Sequence, residues 1–153
     1  MLAHQPKSLR RLRTSTSIDV SFSEYLITRW QYLPMPQEEV ADLVMIDPTW
    51  GGGITEGQKN ASLADVFGLP VTMHDCTGPF TTLARMYLAA NALHALYQGV
   101  GRSYLHYVYP QWVDEAPVVR EGNVAVPRRP GLGAELDPKL GQRENYHSRV
   151  CEA

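Results

Sequence analysis

Cysteine is scarce in this chain. Two thiols, Cys76 and Cys151, among 153 residues offer no disulfide framework, and a reducing, cytoplasmic setting is the default expectation. Apolar runs are short. None approaches the ~20 residues of a membrane-spanning helix, so no membrane partner is expected. Neither sign of charge dominates, since 14 Lys and Arg face 16 Asp and Glu for a net charge of −2. That balance excludes a globally basic nucleic-acid binder, and no nucleic-acid partner is expected. His94 and His106 have no matching Cys pair, which leaves a zinc site without support. The run Gly51-Gly52-Gly53 lacks both the spaced glycines of a dinucleotide-binding turn and the Lys-Ser/Thr ending of a P-loop. It reads instead as a tight loop where backbones approach closely.

What is present suits one soluble domain. With 44% apolar residues, a chain of this size can bury about 68–70% of its unfolded surface. The first 17 residues stand apart: Lys7, Arg10, Arg11 and Arg13 have no acidic neighbour, and Ser and Thr crowd around them. No apolar stretch follows, so a secretory signal is excluded, and the segment reads as a basic, disordered leader. Its removal is expected to leave folding unaffected.

From residue 18 the chain repeats a unit. Ile18–Phe22 alternates and stops at Glu24; Leu43-Val44-Met45-Ile46 stops at Asp47; Leu69–Met73 runs into His74; Ala95-Leu96-Tyr97 ends at Gln98. Short unbroken apolar runs suit buried parallel strands. Between them, Thr55-Glu56-Gly57-Gln58 has capping-box spacing, and Ala61, Ala64 and Phe67 follow on one helical face before Gly68 and Pro70. Leu83, Met86, Tyr87 and Ala90 keep helical spacing after Gly78-Pro79, whereas Pro34 and Pro36 interrupt any helix over 28–40. Alternating strand and helix predicts an α/β fold with a parallel sheet, a partial (β/α) TIM-type barrel of about four strand–helix units. Beyond it, Tyr104, Tyr107, Tyr109 and Trp112 read as aromatic packing over a core edge. The pair 117–119 and 124–126 flanks Arg120-Glu121-Gly122-Asn123 as a C-terminal β-hairpin. The organisation expected is a leader over 1–17, the partial barrel over 18–112, the hairpin and a Pro-Gly turn over 113–139, and a tail over 140–153.

In such barrels chemistry gathers where strands end. Glu24, Asp47 and His74 stand at three successive strand ends, and neighbouring strands lie ~4.8 Å apart, close enough for these groups to converge on one rim. A carboxylate is a hard oxygen ligand for Mg²⁺, and a His beside an Asp is held in one tautomer as a usable general base.

These residues sit in a familiar order. Ser23-Glu24-Tyr25 with Thr28-Arg29-Trp30, Met45-Ile46-Asp47-Pro48-Thr49-Trp50 with Gly52-Gly53-Ile54-Thr55-Glu56, Leu69-Pro70-Val71 with His74-Asp75-Cys76-Thr77-Gly78-Pro79, and Pro130-Gly131-Leu132-Gly133 follow one another. Over Val20 to Asp137, about three-quarters of the chain, the sequence resembles the C-terminal half of the enolase superfamily, in its mandelate racemase/muconate lactonizing branch with the acid-sugar dehydratases. The resemblance implies a barrel with a separate capping domain, and an activity that abstracts the proton α to a carboxylate and stabilises an enediolate on Mg²⁺. It implies Glu24 as the third acidic metal ligand, and Asp47 and His74 as the Asp–His dyad, with His74 moving the proton and Asp47 orienting it. No separate cofactor-binding residue is implied. The family's first two metal ligands and capping domain have no counterpart here, and Gln98-Gly99 stands where relatives carry Gln-Glu. The expectation is therefore the C-terminal half of a Mg²⁺-dependent dehydratase or racemase (lyase class), truncated or split, with a sugar acid or other carboxylate as substrate. A second chain would complete the barrel. The alternative is an inactive remnant, a half-barrel scaffold that self-associates through its open edges.

Overall fold

A computed structural model describes residues 5–22 and 24–150. Ser23 and Cys151, both singled out above, lie outside the described residues. The first described element is helix α1 (Pro6–Thr14), followed by β1 (Ser21–Phe22) and two short helices, α2 (Arg29–Tyr32) and α3 (Pro34–Gln37). Then come β2 (Leu43–Ile46), α4 (Gly53–Val66), β3 (Val71–Met73), α5 (Pro79–Asn91) and β4 (Ala95–Gln98). The four strands form one parallel sheet in the order β1-β2-β3-β4, so the helical segments between consecutive strands are crossovers between neighbours. This is the expected α/β arrangement of strand–helix units, and a separate antiparallel hairpin follows it.

Alternation along β2 decides which face carries what. Val44 and Ile46 are buried against the helices, while Leu43 and Met45 face the other way and are half-buried. Gly57 on α4 lets that helix lie close: a Cβ there would stand 2.9 Å from Leu88 of α5 and 3.6 Å from Ile46. Phe22, Leu26, Tyr32, Val40, Val71 and Met73 complete the core between sheet and helices.

The described part of the leader is largely helical rather than disordered. Residues 6–14 form α1, started by Pro6 and docked by Leu9 against the core and by Arg13, whose Nε donates to Asp42 Oδ1 at 2.9 Å. Asp42 uses its other oxygen to accept the Val20 N–H at 2.9 Å, and this loop contact stops β1 short of the expected Ile18 start. The capping box at Thr55 is also absent. The loop after β2 coils back through Gly51 N–H to Asp47 O and Gly53 N–H to Pro48 O, both 2.7 Å, so α4 starts at Gly53 with Thr55 already inside it. Prolines split the 28–40 segment into α2 and α3, and Gly68, at φ 68°, ends the stretch after α4.

The aromatic segment forms a π-helical turn over Tyr104–Val108 and a 3-10 turn over Tyr109–Gln111. Tyr109 is buried with its ring 6.0 Å from that of Tyr104, whereas Tyr107 and Trp112 are exposed. The hairpin pairs β5 (Val119–Arg120) with β6 (Asn123–Val124) around a two-residue turn. Both turn residues, Glu121 and Gly122, have positive φ, the twist that tight hairpins favour. Among the described residues no helix is long and apolar enough to cross a membrane.

Candidate functional site

The site follows from strand register. Val44 pairs with Val71, Met45 with Thr72 and Ile46 with Met73. One residue further, Asp47 and His74 stand side by side at the carboxyl ends of β2 and β3. The structure brings them together: His74 Nδ1 lies 2.9 Å from Asp47 Oδ2. A carboxylate only accepts, so Nδ1 carries the proton, and in the neutral ring Nε2 keeps its lone pair. The His74 side chain is 20% exposed and that of Asp47 fully buried, so the imidazole faces outward over a fixed anion.

Asp47 is held from every side. Its Oδ1 accepts the Thr49 N–H at 2.8 Å, and Oδ2 accepts Thr77 Oγ1 at 3.0 Å and Arg85 Nη1 at 3.1 Å besides His74. Burial, the largest single influence, pushes the carboxyl upward; hydrogen bonding from His74, the charge of Arg85 and the donors of Thr49 and Thr77 together outweigh it. The net result is a carboxyl below its ordinary value, an anion at neutral pH.

Behind it lies a second carboxylate. Asp75 Oδ1 accepts Arg85 Nη2, Thr82 Oγ1 at 2.7 Å and the Tyr109 hydroxyl at 3.2 Å, and its Oδ2 accepts the Gly101 N–H at 2.9 Å. Arg85 is 0% exposed and bridges the two anions. Burial pushes the Tyr109 hydroxyl up to about 12, keeping it a donor. In front, Cys76 Sγ lies 3.4 Å from His74 Nε2.

Glu24 stands at the same edge of the sheet, two residues beyond β1, half-buried. Its charge and that of Asp47 both act on Tyr32, whose hydroxyl burial drives upward and which donates to Met45 O at 2.9 Å. Among the described residues, no group of three or more His, Cys, Asp or Glu could hold a metal ion.

Gly99 marks the end of β4. It donates its N–H to Met73 O at 2.7 Å, and a Cβ there would stand 2.5 Å from that same oxygen. Position 99 is therefore closed to any side chain by this backbone.

Sequence reasoning passed over Arg85, Asp75, Thr77 and Tyr109. One signal was available for Arg85, the sole charged residue of the 13-residue helix PFTTLARMYLAAN. A lone cation on an apolar helix needs an anion to be buried at all.

Known proteins resemble this chain in sequence and fold. A sequence model of the family described as enolase C-terminal domain-like matches residues 1–140. D-xylonate dehydratase of Haloferax volcanii is 29% identical over 126 residues, which are 80% of this chain and 30% of that protein. D-gluconate dehydratase of Thermoproteus tenax is 29% identical over 147 residues, 94% of this chain and 28% of that protein. The chain thus spans about a third of the length of these relatives. Among solved structures, an enolase of the mandelate racemase subgroup from Agrobacterium tumefaciens, with a succinimide residue, superposes with a TM-score of 0.84 at 35% identity, covering 93% of this chain and 38% of that one. A putative dehydratase from Salmonella enterica serovar Typhimurium, 22% identical, shares the fold with a TM-score of 0.87 over 93% of this chain and 35% of its own.

Proposed function

We propose, because the chain belongs to the enolase C-terminal domain-like family, that its Asp47–His74 pair moves the proton α to a substrate carboxylate. The 2.9 Å hydrogen bond from His74 Nδ1 to Asp47 carries this reading, because it leaves Nε2 as the basic atom. Asp47 orients the ring and stabilises the imidazolium as it forms. The substrate class proposed is an aldonic acid, in keeping with the dehydratases of xylonate, arabinonate, gluconate and galactonate that the chain resembles. Whether the product is dehydrated or epimerised depends on a second acid, which position 99 does not supply. A cytoplasmic setting belongs to the same proposal.

The family implies Mg²⁺, and Glu24 would be this chain's contribution to it. The ion takes several oxygen ligands, and a single carboxylate without a surrounding cluster does not fit one. Further ligands would have to come from outside the described residues. His74 and Asp47 are the groups this chain offers for the proton transfer.

A second reading, an inactive half-barrel scaffold that self-associates, is favoured by one observation. β1 and β4 are the outermost strands of the sheet, and Leu96 and Tyr97 on β4 are 53% and 69% exposed.

One experiment separates the two. The chain is incubated in D₂O with Mg²⁺ and a panel of aldonic acids, and the α-proton is followed by NMR. Exchange that disappears in His74→Asn supports the dyad. No exchange by the wild-type chain at any concentration sinks it and favours the scaffold.

A further inference from the structure

An Asp–His pair on its own has a cost for a base. A buried carboxylate beside an imidazole favours the charged ring, and a ring already protonated at neutral pH cannot accept a substrate proton. In this chain the oxygen that meets His74 Nδ1 at 2.9 Å also meets Arg85 Nη1 at 3.1 Å, with both Asp47 and Arg85 fully buried. Arg85 has no freedom to leave. Nη2 is held by Asp75 Oδ1 and Thr82 Oγ1, and Nε by the Thr81 carbonyl at 3.2 Å.

We propose that Arg85 is a positioning residue for His74: it shares the Asp47 oxygen with the imidazole, so that Asp47 fixes the ring as its Nδ1–H tautomer without holding it as the imidazolium. This rests on the reading of His74 as the proton-transfer residue. Asp75 completes the device from behind. It fixes the guanidinium plane at a distance where Nη1 reaches Asp47, and it is itself fixed by Tyr109, Thr82 and the Gly101 N–H. The groups bearing on His74 are thus Asp47 from the end of β2, Cys76, Thr77 and Asp75 from its own loop, Arg85 from α5 through Asp47, and Tyr109 through Asp75. Glu24 stands at the end of β1, one strand beyond Asp47.

The test needs neither substrate nor metal, so its failure is distinct from a failure of α-proton exchange. In the wild-type chain, the side-chain ¹⁵N resonances of Arg85 are followed while the His74 imidazole is titrated. If the two cations compete for one oxygen, the Arg85 signals shift with the His74 midpoint; signals that stay flat through that transition overturn the proposal. Arg85→Gln then removes the competing charge, and the His74 midpoint is expected to rise by about one pH unit, with Arg85→Lys closer to wild type. A folded Arg85→Gln chain whose midpoint stays within about 0.3 unit of wild type also overturns it. Where Arg85→Gln fails to fold, the wild-type titration decides.

Discussion

Replacing Gly99 by alanine tests whether the end of β4 is as closed as its geometry requires. The added Cβ would stand 2.5 Å from Met73 O and 3.6 Å from the His74 carbonyl carbon, and both atoms belong to backbone that cannot swing aside. Relief demands that β4 retreat from β3. The Gly99 N–H bond to the same Met73 oxygen, now 2.7 Å, would stretch with it. Overpacking of this kind costs about 1–3 kcal/mol and the weakened hydrogen bond about 1 more, so Gly99→Ala is expected to lose about 2–4 kcal/mol. At this chain length that lowers Tm by about 5–15 °C. Urea denaturation reads the loss directly, with Gly141→Ala as control, since nothing lies within 4 Å of a Cβ at that position. Gly99→Glu, which places a longer side chain on the same Cβ, is expected to cost at least as much. A Gly99→Ala chain within about 0.5 kcal/mol of wild type would refute the reasoning and reopen position 99 to an acid.

Two other outcomes follow from buried or docked groups. Asn60 is 1% exposed with neither amide atom hydrogen-bonded, so Asn60→Leu, close in size, is expected to stabilise by about 1–2 kcal/mol in urea denaturation, the penalty of an unsatisfied buried amide being removed. Truncating the chain to start at residue 18 removes Leu9 and the Arg13–Asp42 pair, and is expected to cost about 1–2 kcal/mol by the same measurement, contrary to the expectation for a disordered leader. Asp42 reports the same contact through pH. The Val20 N–H is the main cause holding its carboxyl below the ordinary range, against the upward push of burial, with Arg13 adding to the lowering. A carboxyl lowered on folding stabilises above its unfolded value and loses that contribution as the solution is acidified. The stability gap between wild type and Asp42→Asn should therefore be full at pH 7 and close as pH falls from about 5 through the folded value.

How much of this was legible in the sequence depends on where each partner sits. The four parallel strands were readable because each is a short apolar run ended by a polar residue, and the Asp47–His74 pair was readable because register turns two strand ends into neighbours. α1 was not. Its composition is that of a solvated arm, and what orders it, Asp42 with the core edge under Leu9, lies far along the chain. The capping box failed for a local reason: Gly52, at φ 93°, lets the helix start three residues earlier than the hydroxyl at Thr55 suggested.

Arg85 exposes the deeper limit. Periodicity assigns a side chain to a face of a helix, and a cation on an apolar helix is then read as a defect or a solvated edge. Its burial becomes intelligible only when Asp47, Asp75, Thr82 and Tyr109 are assembled around it from different elements. Taking a guanidinium out of water costs several kcal/mol, which paired carboxylates and further acceptors can offset but rarely exceed. Hydrophobic packing at that position would serve stability as well or better. A fold that instead retains the cation, and spends one of its bonds on the oxygen that His74 needs, has organised it around the imidazole rather than around the core.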